Sequence, residues 1–344
     1  MKARCSTRTI KSFALAFAIA AVVHAETIRS ISTFATGQAV NATGPDSITV
    51  GGGSLWVSYT NGADSTGLSG SSTVVQYDLN GTVRKTYTIA GSVDGLKIEP
   101  KTGLVWALQN QDGNSTLTLI DPTTGITSNS PLHYQVASST QGYDDVVFRN
   151  GQVFLSYTNP AAPTDPTIQR LENRESPLIV TPILTMGAKG TNIATGQPDQ
   201  PTTQNDPDSL KLTPGGALML SSGDDGQLVF VLNPGTDDQK MAFLSLLTPS
   251  KMRVSGLDDA IFPGSEAGTL YLSDTGNNRV LKIKLEDITE GSLYACVGSL
   301  NQFVRVNIPT GIVTPVISNL NAPHGLAFVP NNDENGGDDQ GGNR

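Results

Sequence analysis

Cysteine is almost missing from this chain. Cys5 and Cys296 are the only two among 344 residues. Cys5 falls in a stretch that reads as an export segment, so Cys296 stands alone. That excludes an intrachain disulfide framework, and a lone thiol in an oxidising compartment is expected to be a buried core residue. Histidine is equally scarce, with only His24, His133 and His324. Charge is sparse at 15% and unbalanced, with 31 acidic against 22 basic residues. The first 25 residues hold four of the basic ones and no acidic one, so 18 face 31 in the remainder. An acidic surface repels nucleic acid and anionic lipid, and it suits cations and cationic ligands. Helical periodicity is lacking, as are Gly-x-Ser-x-Gly, His-Glu-x-x-His and phosphate-loop patterns, so none of those chemistries is indicated.

Only one apolar run is long, from Phe13 to Val23, and it is short for a membrane span. Lys2, Arg4, Arg8 and Lys11 precede or enter it, and Val23-His24-Ala25 follows as a small-x-small cleavage site. Residues 1–25 therefore read as a signal peptide and the protein as secreted or periplasmic, with no further membrane association.

What is abundant is glycine (36) and proline (20), punctuating short apolar runs. This is an all-β signature. A tetrapeptide recurs in it: Pro45-Asp46-Ser47-Ile48, Val93-Asp94-Gly95-Leu96, Tyr143-Asp144-Asp145-Val146, Pro207-Asp208-Ser209-Leu210, Leu257-Asp258-Asp259-Ala260 and Pro323-His324-Gly325-Leu326. A period near 50 residues in a β-rich chain implies one propeller blade per repeat. The expectation is a six-bladed β-propeller of four-stranded antiparallel blades over residues 26–330. Each tetrapeptide opens an inner strand, and a glycine turn leads to a second strand such as 55–59, 104–108 or 269–273. A third follows at 74–78, 117–121 or 280–284. Residues 187–206 read as a polar surface loop, and 285–301 fit no strand of the repeat. Residues 27–34 are expected to join the last blade, pairing chain start with chain end. Residues 331–344, acidic and without apolar side chains, read as a disordered tail.

Leu270-Tyr271-Leu272-Ser273-Asp274-Thr275-Gly276-Asn277-Asn278-Arg279-Val280 resembles the second half of an NHL repeat. Pro323-His324-Gly325-Leu326-Ala327-Phe328 resembles its first half, and also the matching strand of virginiamycin B lyase-like propellers. Val93-Asp94-Gly95-Leu96 with Gly103-Leu104-Val105-Trp106 is similar to gluconolactonase (regucalcin)-type propellers, a TolB-like group. The resemblance implies the six-bladed fold more than any one reaction. Gluconolactonase-type enzymes hold a divalent metal with Glu, Asn and Asp from separate blades. Here Asp stands at the comparable strand starts, but no Asn-Gly-Leu strand accompanies it. Virginiamycin lyase-type sites use several histidines, and only His133 and His324 lie beyond residue 25.

In a propeller the inner strands line an axial channel, so Asp46, Asp94, Asp144, Asp208, Asp258 and His324 are expected around one mouth as a ligand-binding ring. Tyr59, Asn61, Asn110, Asp112, Asn159, Asp224, Asp225, Asp274 and Asn277 are expected in the loops beside them. Like charges held that close raise one another's pKa. Relief comes from a bound cation, from protonation, or from backbone N–H groups that fix each Asp in its own loop. In Asp144-Asp145 and Asp258-Asp259, one acid can anchor while its neighbour faces the channel. Trp56 and Trp106 are expected between blades. The leading functional expectation is a monomeric binding protein for Ca²⁺ or another divalent cation, or for a small-molecule or peptide partner. Asp94, Asp208 and Asp258 are its candidate metal ligands. The alternatives are a metal-dependent lactonase or lyase with His324 as the catalytic base, and a protein-interaction scaffold.

Overall fold

A computed structural model describes residues 26–136 and 138–331. The expected signal peptide and nearly all of the acidic tail lie outside the described residues. Among the described residues no helix is long and apolar enough to cross a membrane.

Six small antiparallel sheets form the molecule. Blade I runs outward from the axis as Pro45–Gly51, Ser54–Tyr59, Ser71–Asp78 and Val83–Ala90. Blade II is Val93–Ile98, Val105–Gln109, Thr116–Asp121 and the short Leu132–His133, which places His133 in an outer strand. Blade III is Tyr143–Arg149, Gln152–Tyr157, Pro166–Leu171 and Val180–Thr185. Blade IV is Pro207–Leu212, Leu218–Ser222, Gln227–Leu232 and Lys240–Ser245. The stretch expected to be only a polar loop contributes two more strands to blade IV. Lys189–Asn192 pairs in parallel with the outer strand, and Gln200–Pro201 pairs with Lys189–Asn192.

The last two blades depart from simple succession. Blade V is Leu257–Ile261 followed by Leu293–Val297, Gln302–Val306 and Val313–Ile317. The strands that directly follow Leu257–Ile261 in sequence, Gly268–Asp274 and Arg279–Glu286, belong instead to blade VI. The inner strand there is Pro323–Pro330, and the outer strand is Thr27–Thr36 from the other end of the chain. The expectation that 269–273 and 280–284 complete the Asp258 blade is therefore corrected. Residues 285–301 fit no repeat because they include the returning second strand of blade V. The expected closure by residues 27–34 is observed.

Inner strands pack side by side from blade I round to blade VI and back to blade I. Apolar side chains fill the wedges between blades, with a cluster at each of the six interfaces. Trp56 of blade I packs on Leu96, Val105 and Ile120 of blade II. Trp106 of blade II packs with Tyr143, Val146 and Leu155 of blade III. Cys296 is buried with Leu270, Ile283 and Phe303 between blades V and VI. Because each blade is covered on both faces, second strands such as Ser54–Tyr59 are buried along their whole length rather than at alternate residues.

Candidate functional site

All six tetrapeptides sit on the same local irregularity. Pro45 faces Tyr59 and Ile48 faces Val57, so Asp46 and Ser47 together oppose Ser58. The register slips at the same place beside Asp94, Asp144, Asp208, Asp258 and His324. A bulge of this kind bends the strand and re-aims one side chain. Here it turns the second residue of each tetrapeptide into the channel. Asp46, Asp94, Asp144, Asp208, Asp258 and His324 all line one axial cavity of about 120 Å³.

The third residue of the tetrapeptide ties blades together. The Ser47 hydroxyl accepts Leu96 N–H at 3.1 Å, joining blades I and II. Asp145 accepts Leu210 N–H at 3.0 Å, joining III and IV. Asp259 accepts Leu326 N–H at 2.8 Å, joining V and VI. Blades II and VI carry glycine at this position because the next blade comes too close for a side chain. A Cβ on Gly95 would overlap the Asp144 carbonyl oxygen, and one on Gly325 the Asp46 carbonyl oxygen. The division of labour expected for the doubled acids is the one observed. Asp144 and Asp258 face the cavity. Asp145 and Asp259 anchor, both to the neighbouring blade, and Asp145 also to its own Val146 N–H at 2.8 Å.

Beneath the ring, these anchoring acids meet two lysines on inner strands. Lys211 Nζ lies 2.8 Å from Asp259 Oδ2 and 4.0 Å from Asp145 Oδ2, and Lys97 Nζ lies 3.3 Å from Asp145 Oδ2. Two positive and two negative charges balance here. Burial, with Lys211 alongside, lowers the Lys97 pKa to about 8. Burial also opposes the Lys211 charge, but Asp259 and Asp145 outweigh it and its pKa rises. Burial raises the Asp259 pKa, and one of its oxygens, Oδ1, has no hydrogen-bond partner.

That balance leaves the carboxyls of the upper ring without a lysine partner, so crowding and burial favour their protonated forms. Burial first, and then Asp46, push Asp94 to about 7. Burial raises Asp144 and Asp208 well above the carboxylate range, and the two lie close enough to act on one another. Asp206, a rim residue, is pushed to about 6 by burial and by Asp224 and Asp112. On the opposite side of the cavity, His324 Nδ1 lies 3.1 Å from Asp46 Oδ1 and closer still to Asp258 Oδ2. Burial works against an imidazolium, but Asp258 and Asp46 together raise the His324 pKa well above its usual value. Ligand atoms of Asp46, Asp258 and His324 all fall within 4.8 Å of one another.

The expected ring is thus gathered whole, but its parts differ. Of the expected metal ligands Asp94, Asp208 and Asp258, only Asp258 belongs to the tight triad. Asp94 and Asp208 line the same cavity, next to Asp144. Several loop residues expected at the mouth have other partners. Tyr59 is buried with its hydroxyl 2.9 Å from that of Tyr77. Asn110 accepts Ser92 N–H, Asp225 accepts Asn205 N–H, and Asp274 is buried against Arg279 and Asn321 N–H. Gln111 and Asp206 line the cavity without having been singled out.

No family model matches this chain, and no curated protein matches it. Solved structures do. A candidate gluconolactonase aligns with a TM-score of 0.52 at 11% identity, over 88% of this chain and 86% of its own. The chain has the propeller fold of that gluconolactonase. Virginiamycin B lyase from Staphylococcus aureus gives 0.48 at 14% identity, over 89% and 94% of the two chains. A periplasmic gluconolactonase from Pseudomonas aeruginosa gives 0.47 at 13%, over 83% and 88%. At 11% identity the likeness to the first of these establishes architecture and not activity.

Proposed function

We propose that the axial cavity binds a divalent cation through Asp46, Asp258 and His324. The observation that carries this reading is the crowding of one imidazole nitrogen by two carboxylates. Only a proton on Nδ1 makes both contacts favourable, and a divalent cation in that proton's place would meet the same two carboxylates. The cavity volume agrees. About 120 Å³ takes an ion with a few waters, whereas enclosed small-molecule pockets run to roughly 300–1,000 Å³. The donor set also points to a class of ion. Calcium prefers six to eight oxygens, whereas an imidazole with two carboxylates suits zinc and similar transition ions. The acidic composition and export-type N-terminus fit a secreted or periplasmic binding protein.

Binding must displace the His324 proton, so affinity is expected to tighten as pH rises, by up to about tenfold per unit. Isothermal titration with Zn²⁺ at pH 6 and pH 8 checks this. Asp258→Asn should weaken binding at least roughly tenfold at pH 8. Equal affinity at both pH values, or in the variant, would contradict the assignment.

Stability should carry the same signature. Asp94 and Asp206 have folded pKa values of about 7 and about 6, both raised from 3.8. Between about pH 4 and pH 7 the folded protein therefore holds more protons than the unfolded chain, and its stability falls as pH rises. His324, raised above 6.5, adds in the same direction, because its contribution is lost as pH climbs through its folded pKa. Without added cation, the melting temperature should decline from pH 5 to pH 8, and saturating Zn²⁺ should flatten that decline. A cation-free protein that gains stability across this range would count against the ring's electrostatics.

A second reading is a metal-dependent lactonase or lyase. It is favoured by the carboxyls across the cavity from the triad, which burial and mutual repulsion raise to different extents. A bound cation would supply Lewis acidity, Asp94 near pKa 7 would accept a proton, and the Asp144–Asp208 pair would donate one. Turnover of a lactone panel that chelator abolishes and Asp94→Asn suppresses would support this reading. A blank panel with the cation bound would reject it.

A further inference from the structure

We infer that the bound cation also acts structurally and clasps the propeller at its closing blade. This rests on the cation reading above and adds a role to it. The three ligands come from three blades: Asp258 from V, His324 from VI and Asp46 from I. Those are the closing blade and its neighbours on both sides. Blade VI is also built unlike blades I to IV, each of which is made from one continuous stretch of chain. It joins three separate stretches: Thr27–Thr36, the hairpin of Gly268–Asp274 with Arg279–Glu286, and Pro323–Pro330. Its inner strand, Pro323–Pro330, pairs within the sheet only with Gly268–Asp274. On the blade V side, Leu326 N–H to Asp259 and the His324 contact with Asp258 supplement packing. On the blade I side His324 meets Asp46, and hydroxyl ties run from Ser273 and Thr275 to the Asp46 and Pro45 carbonyl oxygens, at 2.6 and 2.5 Å. The two hydroxyls belong to the second strand and the turn after it, so His324 is the side chain of Pro323–Pro330 that reaches blade I. His324 already meets a carboxylate on each neighbour, and an ion in place of its proton would turn those two contacts into coordinate bonds from the inner strand to blades V and I.

The clasp predicts where a bound ion slows motion. A site that exists only when blades V, VI and I are in register is lost whenever the inner strand of blade VI lifts away. At a free Zn²⁺ concentration 100-fold above Kd, mass action slows any opening that breaks the site by up to about 100-fold. Hydrogen exchange of the full protein at pH 8, with and without Zn²⁺, reads this strand by strand. Amides of Pro323–Pro330 and Gly268–Asp274 should slow by up to about 100-fold, and those of blades II and III, which the ion does not touch, by much less. His324→Ala keeps the strand's backbone pairing and should remove the preferential slowing. Zn²⁺ binding with slowing spread evenly over all blades, or absent from blade VI, would overturn the clasp while leaving the binding site standing. No Zn²⁺ binding by titration would instead remove the cation reading and the clasp with it.

Discussion

Gly95→Ala is expected to destabilise the protein by about 3 kcal/mol, a severe loss for one methyl group. Gly95 adopts no left-handed conformation, so the effect is purely steric. The added Cβ overlaps the Asp144 carbonyl oxygen and crowds the Asp145 backbone on the neighbouring inner strand. Neither is the tip of a flexible side chain, so blade II must move away from blade III. That movement separates Asp94 from Asp144 and loosens the apolar wedge holding Trp106 and Tyr143. Urea denaturation of the purified variant measures the cost. A loss below about 1 kcal/mol would show that the inner strands do not pack as tightly as described.

Lys211→Met is expected to cost a similar amount, about 3–5 kcal/mol, because it strands a buried carboxylate. Asp259 is almost wholly buried, and Lys211 is its ion-pair partner at 2.8 Å. Lys97 lies closest to Asp145 and cannot neutralise both acids. Adding Asp259→Asn to the variant should recover much of the loss. The amide oxygen still accepts Leu326 N–H, while the unpaired charge is gone. A double-mutant cycle by chemical denaturation tests this, and the expected coupling is large and favourable. Simple additivity of the two losses would mean that the lysine–aspartate layer is not acting as a charge-balanced unit.

Much of this architecture is legible in the sequence, for a physical reason. Every blade must repeat the same bulge at the channel mouth, and a repeated backbone irregularity leaves a repeated tetrapeptide. Asp46, Asp94, Asp144, Asp208, Asp258 and His324 are found by that repetition alone. The interlacing of blades V and VI is not legible in this way. Sequential strands pair with each other in most sheets, so 269–273 following Asp258 reads as its partner. The visible traces are the 66-residue spacing from Asp258 to His324 and the unassignable 285–301. The ligand triad is obscured by the same circularity. Asp46 and His324 lie at opposite ends of the chain and become neighbours only when the ring closes, whereas Asp94 and Asp208 are drawn to the far side. Gln111 and Asp206 arrive from loops that follow no period. Only the pair of acids in Asp206-Pro207-Asp208 hints that a second carboxylate approaches the mouth there.

The most direct test of the account is an anomalous-difference map at the zinc edge, from crystals grown at pH 8 with Zn²⁺. A single axial peak is expected about 2.0–2.2 Å from His324 Nδ1 and from one oxygen each of Asp46 and Asp258. A map with no peak on the axis, and His324 still bridging the two carboxylates through its own proton, would contradict it.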